Sequence, residues 1–388
     1  TTPYLADQKI LFGQLTYNKN ISLTHDLLFG LAGRYNFYDD NSTATIDTLS
    51  KINQPEKHFL PGVFVQDEWQ LGANHHLLLG LRYDHHPVHK NIITPRIAYK
   101  WKISDRQVFR INSGTGFRVV NIFTEEHAAL TGSRIVEIRE ALQPEKSYNI
   151  NLNFSQKLGA RSKSVHADAS AWYTYFHNQI IADYETDPGK IIYQNLKGYS
   201  VSKGISINLE FNFWQRIRGT AGVTIQDVAK VEDIGGKKIK EQPMLTEKFS
   251  GTWTVTYSIP IPGITLDYTG NVYGPMRLPL ISALDPRRSY SPVWSIHNLQ
   301  LTKWLSNKLE VYGGIKNIFN WTPAKNNIFL IARSHDPFNK LVQYDTNNNV
   351  IATAENPYKL TFDPAYVYAP NQGIRFFAGI KFKLKEKL

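Results

Sequence analysis

Residues 249–259 alternate between two chemistries. Phe249, Gly251, Trp253, Val255, Tyr257 and Ile259 are apolar or small, and Ser250, Thr252, Thr254, Thr256 and Ser258 between them are polar. Successive side chains of a strand point to opposite faces, so a period of two describes a strand with one greasy and one polar face. The split recurs at Ile205, Ile207, Leu209, Phe211 and Phe213 against Ser206, Asn208, Glu210 and Asn212, and at Ile264, Leu266 and Tyr268 against Thr265, Asp267 and Thr269. Near the end, Ile374, Phe376, Ala378, Ile380 and Phe382 alternate with Arg375, Phe377, Gly379 and Lys381. The chain reads as all-β.

A soluble sandwich alternates too, and run length separates the two cases. The runs at 165–182 and 191–214 far exceed the usual soluble strand of about 5–6 residues, whereas a membrane barrel uses long tilted strands. Tyr17, Tyr35, Trp69, Tyr83, Trp101, Tyr173, Tyr175 and Trp304 lie toward run ends, as interfacial aromatic girdles do. Short links near 18–25, 72–74, 104–106, 157–164, 215–218, 260–263 and 306–308 alternate with longer or more polar segments at 39–58, 86–94, 118–146, 183–190, 233–247, 274–292 and 318–371. Short periplasmic turns and long external loops alternate in this way in the bacterial outer membrane. The expectation is a transmembrane antiparallel β-barrel with about fifteen strands across residues 1–388. An odd number cannot close antiparallel, and an open edge in lipid strands its backbone donors and acceptors. The fragment is therefore expected to pair with strands outside this chain.

Composition removes several alternatives. No cysteine is present, so disulfides and thiolate metal sites are excluded. No apolar stretch reaches the roughly 18–20 residues of a spanning helix. The formal net charge of +11 is scattered through strands and turns rather than gathered on a basic helix, which argues against a nucleic-acid partner. The start, Thr1-Thr2-Pro3-Tyr4, has neither an initiating Met nor a basic-then-apolar leader, and is expected to be a cut or trimmed one.

Three stretches carry a resemblance. Val63-Phe64-Val65-Gln66-Asp67-Glu68-Trp69, followed by Leu79-Gly80-Leu81-Arg82-Tyr83-Asp84, looks like a mid-barrel strand and its neighbour. Gly114-Thr115-Gly116-Phe117-Arg118-Val119-Val120-Asn121-Ile122-Phe123-Thr124-Glu125-Glu126 is similar to a Gly-Phe-Arg-x-Pro-Asn-hydrophobic-Glu signature at an external strand end, with Val120 in place of the usual Pro. Val311-Tyr312-Gly313-Gly314-Ile315-Lys316-Asn317-Ile318-Phe319-Asn320 resembles a penultimate strand. In this order they resemble the TonB-dependent outer-membrane receptors, over nearly the whole chain. The resemblance implies a 22-stranded barrel with an N-terminal plug. The plug and about seven strands would then lie outside this chain, which holds C-terminal strands and external loops. It further implies energised uptake of a scarce nutrient such as a ferric siderophore, haem or a cobalamin, without covalent catalysis. The implied partners are the missing plug and barrel portion, the TonB complex acting through the plug, outer-membrane lipids and a small-molecule or metal-chelate ligand. A passive porin and a barrel enzyme are the alternatives.

Candidate contacts lie on the external segments. Glu125, Glu126 and His127 follow the Gly-Phe-Arg signature; Arg287 and Arg288, and Arg333 with His335, sit on other loops. Charged tips are usually solvated, yet arginines there can attract an anionic ligand by bidentate contacts. His85, His86 and His89 form a cluster of a density that can bind a metal or haem iron. Adjacent strand residues point to opposite faces, so His85 and His86 cannot share one site without a bend, and a solvated loop is the competing reading. Tyr358, Phe362, Tyr366 and Tyr368 can stack on a planar ligand or fold against the barrel mouth. No hydrolytic signature such as Gly-x-Ser-x-Gly is present, and no cofactor is called for.

Overall fold

The computed structural model describes residues 5–41, 45–46, 52–119, 135–140, 142–160, 163–183, 186–187, 190–214, 216–261, 263–280, 288–326, 343–347, 349–354, 359 and 367–383. The strands begin with β1 (Ala6–Asn20), β2 (His25–Asp40), β3 (Glu56–Gly72), β4 (His75–His86), β5 (Lys90–Ser104) and β6 (Gln107–Arg118). Next come β7 (Ile135–Ile138), β8 (Glu145–Ala160), β9 (Lys163–His177), β10 (Ile180–Asp183), β11 (Lys190–Asn195), β12 (Gly198–Phe213), β13 (Ile217–Ile234) and β14 (Lys237–Glu241). The series ends with β15 (Phe249–Ile259), β16 (Ile264–Tyr273), β17 (Trp294–Trp304), β18 (Leu309–Lys316), β19 (Gln343–Tyr344), β20 (Val350–Ile351) and β21 (Arg375–Phe382). A 16-stranded sheet runs in the order β1, β2, β3, β4, β5, β6, β8, β9, β12, β13, β15, β16, β17, β18, β21, with β14 paired to β13. That order carries the expected number of wall strands. Pairing is antiparallel from β1 through β6 and from β13 through β21.

Contacts divide the chain into two compact units. One comprises Thr1–Phe154, Ala171–Lys203 and Ala229–Glu241; the other comprises Ser155–Ser170, Gly204–Val228 and Gln242–Leu388.

In the first unit the alternation becomes two faces. Phe29, Leu31, Val63, Val65, Leu79, Leu81, Ile93 and Ile97 are exposed on one of them. Water tolerates such a contiguous apolar face poorly, and hydrocarbon accepts it. Trp69 and Trp101 stand at the short-turn end of this band and Tyr35 and Tyr83 at the other end, where amphipathic rings suit the bilayer interfaces. The ladder between β1 and β2 is unbroken from Ala6 opposite Asp40 to Asn20 opposite Asp26. Register slips occur between Gln70 and Gly72 and between Lys102 and Ser104, both at short-turn ends.

Two expectations about length are corrected here. The run 165–182 breaks after β9, where Asn178 takes φ 57°, and the run 191–214 breaks before Gly198. A Cβ on Gly198 would sit 2.0 Å from the Val231 carbonyl oxygen, so only glycine allows this approach. The released segments form a separate sheet in which β10 pairs antiparallel and β7 parallel to β11. Its centre is dry: Ile191, Ile192 and Tyr193 are buried. The segment 86–94, expected to be one of the longer links, is instead a three-residue turn at 87–89 between β4 and β5.

In the second unit Tyr257, Ile259, Leu301, Phe376, Ile380 and Phe382 are exposed on one face, while Thr256 donates to Asp267 at 2.5 Å on the other. At the long-connection end Met276, Leu278, Trp294, Tyr368 and Ala369 form a buried cluster. Trp294 stacks on Tyr273 at 4.6 Å and on Trp321 at 5.2 Å. Asn317, with φ 52°, turns the chain out of β18 and pins it, donating to the carbonyls of Trp321 at 2.6 Å and Gln372 at 3.0 Å. Leu81→Arg is expected to cost roughly 2–4 kcal/mol when the protein refolds into lipid vesicles, while Gln14→Arg on the opposite face costs under about 1 kcal/mol. Urea titrations of both variants in vesicles check this.

Candidate functional site

On the face of the first unit opposite the apolar band, the even positions near the long-connection end turn polar and charged. Arg34, Asn36 and Tyr38 come from β2, Glu56 and His58 from β3, Arg82, Asp84 and His86 from β4, and Arg118 from β6. With Ile10, Phe12 and Phe117 they line a cavity of about 660 Å³. Pairing register brings them together, since Asn36 lies opposite His58 and Gly62 opposite Asp84. Gly62 makes room: a Cβ there would fall 2.3 Å from Asp84 Oδ1.

The cations of this cavity differ in their compensation. Arg82 holds Asp84 with two bonds of 2.7 and 2.6 Å, the strong bidentate form. Arg118 donates to Glu145 at 2.7 Å, and the other oxygen of that carboxylate accepts Ile180 N at 2.9 Å. Arg34 donates instead to the neutral Asn36 Oδ1 at 2.8 Å, which leaves its charge available to an anion in the cavity.

The histidines sort by face. His85 faces away, with Nδ1 3.2 Å from Asn91 Oδ1. His86 is 2 % exposed, and its ring lies 5.1 Å from that of His58 and 4.6 Å from that of His89. Its Nδ1 accepts the backbone N–H groups of Val88 and His89, both at 3.2 Å. Among the described residues no three imidazole or carboxylate groups gather as a metal cage. His86 and His89 lie past the Tyr83 rung, outside the apolar band. Burial, then the neighbouring imidazoles of His89, His58 and His85, push His86 down to about 4. Burial and His58 lower His89 as well.

Of the other loop candidates, Glu125, Glu126, His127, Arg287, Arg333 and His335 lie outside the described residues, as do Tyr358, Phe362 and Tyr366. Arg288 is exposed and acts electrostatically on Tyr368, whose phenol is raised by burial against that influence. Tyr368 packs edge-on against Trp321 at 6.3 Å. Sequence reasoning missed Arg34, His58 and Asp84 as a group; the signal that would have found them is polar identity at inward positions of adjacent strand ends.

The side sheet is tied to the wall beside the cavity. Asn195 Nδ2 donates to the carbonyls of Gln143 at 3.1 Å and Asn178 at 2.8 Å, and its Oδ1 accepts Gln143 N at 2.8 Å. Glu137 takes hydrogen bonds from Lys190 at 2.7 Å and Arg139 at 3.1 Å, which hold its carboxyl below the usual range.

A family model, TonB dependent receptor-like, beta-barrel, matches residues 1–318. The chain belongs to the TonB-dependent receptors. Members of this family are outer-membrane transporters, not enzymes; they bind siderophores and work with TonB. No curated protein matches the chain by sequence. Among solved structures it is similar to a point mutant of the ferric enterobactin receptor PfeA of Pseudomonas aeruginosa in complex with enterobactin, at 14% identity and TM-score 0.66, over 98% of this chain and 54% of that one. It is also similar to the FrpB iron transporter of Neisseria meningitidis, at 13% identity and TM-score 0.61, over 81% and 51%. The siderophore receptor PirA of P. aeruginosa follows at 15% identity and TM-score 0.58, over 82% and 54%. The chain thus spans about half the length of the solved receptors it matches. In the side sheet Asn195 ties the segment at Gln143 to the turn at Asn178. Asn195→Ala is expected to loosen that tie by roughly 1–3 kcal/mol, seen as faster proteolytic nicking at 178–198 with the wall strands still protected.

Proposed function

We propose that this chain forms wall and external mouth of a TonB-dependent receptor that imports an anionic ferric chelate, such as a siderophore, across the bacterial outer membrane. The observation that carries the reading is the cavity beside the long connections, in a chain of this family, where Arg34 holds a charge that no described carboxylate bond compensates. A guanidinium whose charge no carboxylate neutralises can take an anion by paired N–H contacts. The iron and siderophore receptors named above support the choice of cargo. Arg288, Glu125, Glu126, His127, Arg287, Arg333 and His335 are further candidate ligand contacts in this reading. The apolar band contacts lipid. A plug and further strands, contributed by the rest of the receptor, fill and complete the barrel; coverage of about half of each solved relative supports this.

Uptake then needs energy. Cells carrying the full receptor are expected to accumulate radiolabelled ferric siderophore only with TonB and the proton-motive force intact. Arg34→Ala should weaken ligand binding roughly 10-fold or more, since a hydrogen bond to a charged group contributes about 1.5–3 kcal/mol. Uptake indifferent to TonB, together with large steady conductance of the purified receptor in planar bilayers, would establish a passive porin instead.

A further inference from the structure

We propose that His86 is a proton-operated latch on the turn between β4 and β5, closed when its ring is neutral and released when the ring takes up a proton. The latch is a single lone pair. Nδ1 of His86 accepts two backbone N–H groups, those of Val88 and His89, which a neutral imidazole can do only as the tautomer with its proton on Nε2. A proton on Nδ1 turns the acceptor into a donor facing two donors, and both bonds are lost together. His86 is 2 % exposed, so little of it is open to water that could replace them.

The surroundings set the direction. From β3, His58 faces the His86 ring and has its own Nδ1 buried without a partner, while its Nε2 is engaged by Glu56 at 2.7 Å. From the turn, the His89 ring lies tilted against it at 4.6 Å. On β4 itself, Asp84 is taken by Arg82 and His85 lies on the opposite face. Arg34 and Tyr38 of β2 and Arg118 of β6 border the same cavity, and Lys90 closes the turn with φ 60°. Among the described residues lining the cavity, the carboxylate not bound to an arginine is Glu56, and it serves His58. A proton on His86 therefore gains no counter-ion.

The sign follows from linkage. His86 is held at about 4 in the folded protein, against about 6.5 for an open turn. The latch contributes in full above the open-state value, weakens as pH falls below it, and has lost its contribution once pH passes the folded value. Because His58 and His86 line the cavity, acid both loosens its rim and adds positive charge to its wall. Neither effect requires transport, so the inference stands or falls apart from the uptake reading.

Hydrogen exchange of residues 87–90 in the full receptor, corrected for the intrinsic rate at each pH, tests it. Between pH 7 and pH 4 the protection of the Val88 and His89 amides is expected to fall about 100-fold, from the linkage relation with these two values. His86→Asn places an amide oxygen, which does not titrate, at similar reach, and should keep protection constant over this range. His89→Gln leaves the backbone donor but removes one neighbouring imidazole, and should move the midpoint upward. Loss of protection in parallel in the native and His86→Asn proteins, or full protection of the native turn at pH 4, would overturn the latch. An unmoved midpoint in His89→Gln would overturn the part assigned to the neighbouring imidazole. Should His86→Asn fail to fold, the native profile and His89→Gln still decide between these outcomes.

Discussion

Backbone hydrogen bonding where water is absent governs this chain. Every amide and carbonyl of a strand crossing hydrocarbon must find a partner in a neighbouring strand, because an orphan there costs several kcal/mol. Long antiparallel ladders are the response, and that of β1 and β2 runs without a slip over the full length of β1. The two described bulges fall at the short-turn ends, beyond the Trp69 and Trp101 rungs, where water satisfies an unpaired group. Side chains then have one freedom left. They alternate, and the solvent on each side selects them.

Past the far rungs the rule changes, since loops must satisfy their backbone without a ladder. Side chains take over that task. Glu145 accepts Arg118 and Ile180 N, Asn195 holds Gln143 and Asn178, and Asn317 holds Trp321 and Gln372. Each such bond contributes only about 1 kcal/mol net, but leaving a buried partner unpaired costs more. These residues therefore matter most as the partners whose removal strands a backbone group.

The wall was readable because its signal is local. Alternation at 249–259 and 205–213 needs no knowledge of neighbours, and the number of strands in the main order follows from counting such runs. The side sheet was not readable, because its parallel pairing joins β7 to β11, and Lys190 meets Glu137 across 53 positions. Alternation at 165–182 continues past Asn178 although the chain leaves the wall there. The cavity depended on register: His58 joins His86 and His89 only because β3 and β4 pair as they do, so a cluster drawn from neighbours in sequence included His85 and omitted His58. For the same reason Arg34, which lies within β2 and not in a connection, escaped notice.

Identities of 13–15% alongside TM-scores of 0.58–0.66 follow from the same constraint. Lipid asks of an outward position only that it be apolar, and the ladder asks of the backbone only that it stay extended and in register, as it does even at Pro61 of β3 and Pro95 of β5. Leu81 can therefore drift to any apolar residue without disturbing its neighbours. Inward positions near the external end are constrained differently, by particular partners at particular distances, as Arg82 is by Asp84 and by the missing Cβ of Gly62. Differences between receptors of this family in what they bind must accordingly be written in those inward rungs and in the segments above them. Arg34, His58 and His86 are inward residues of this kind in this chain.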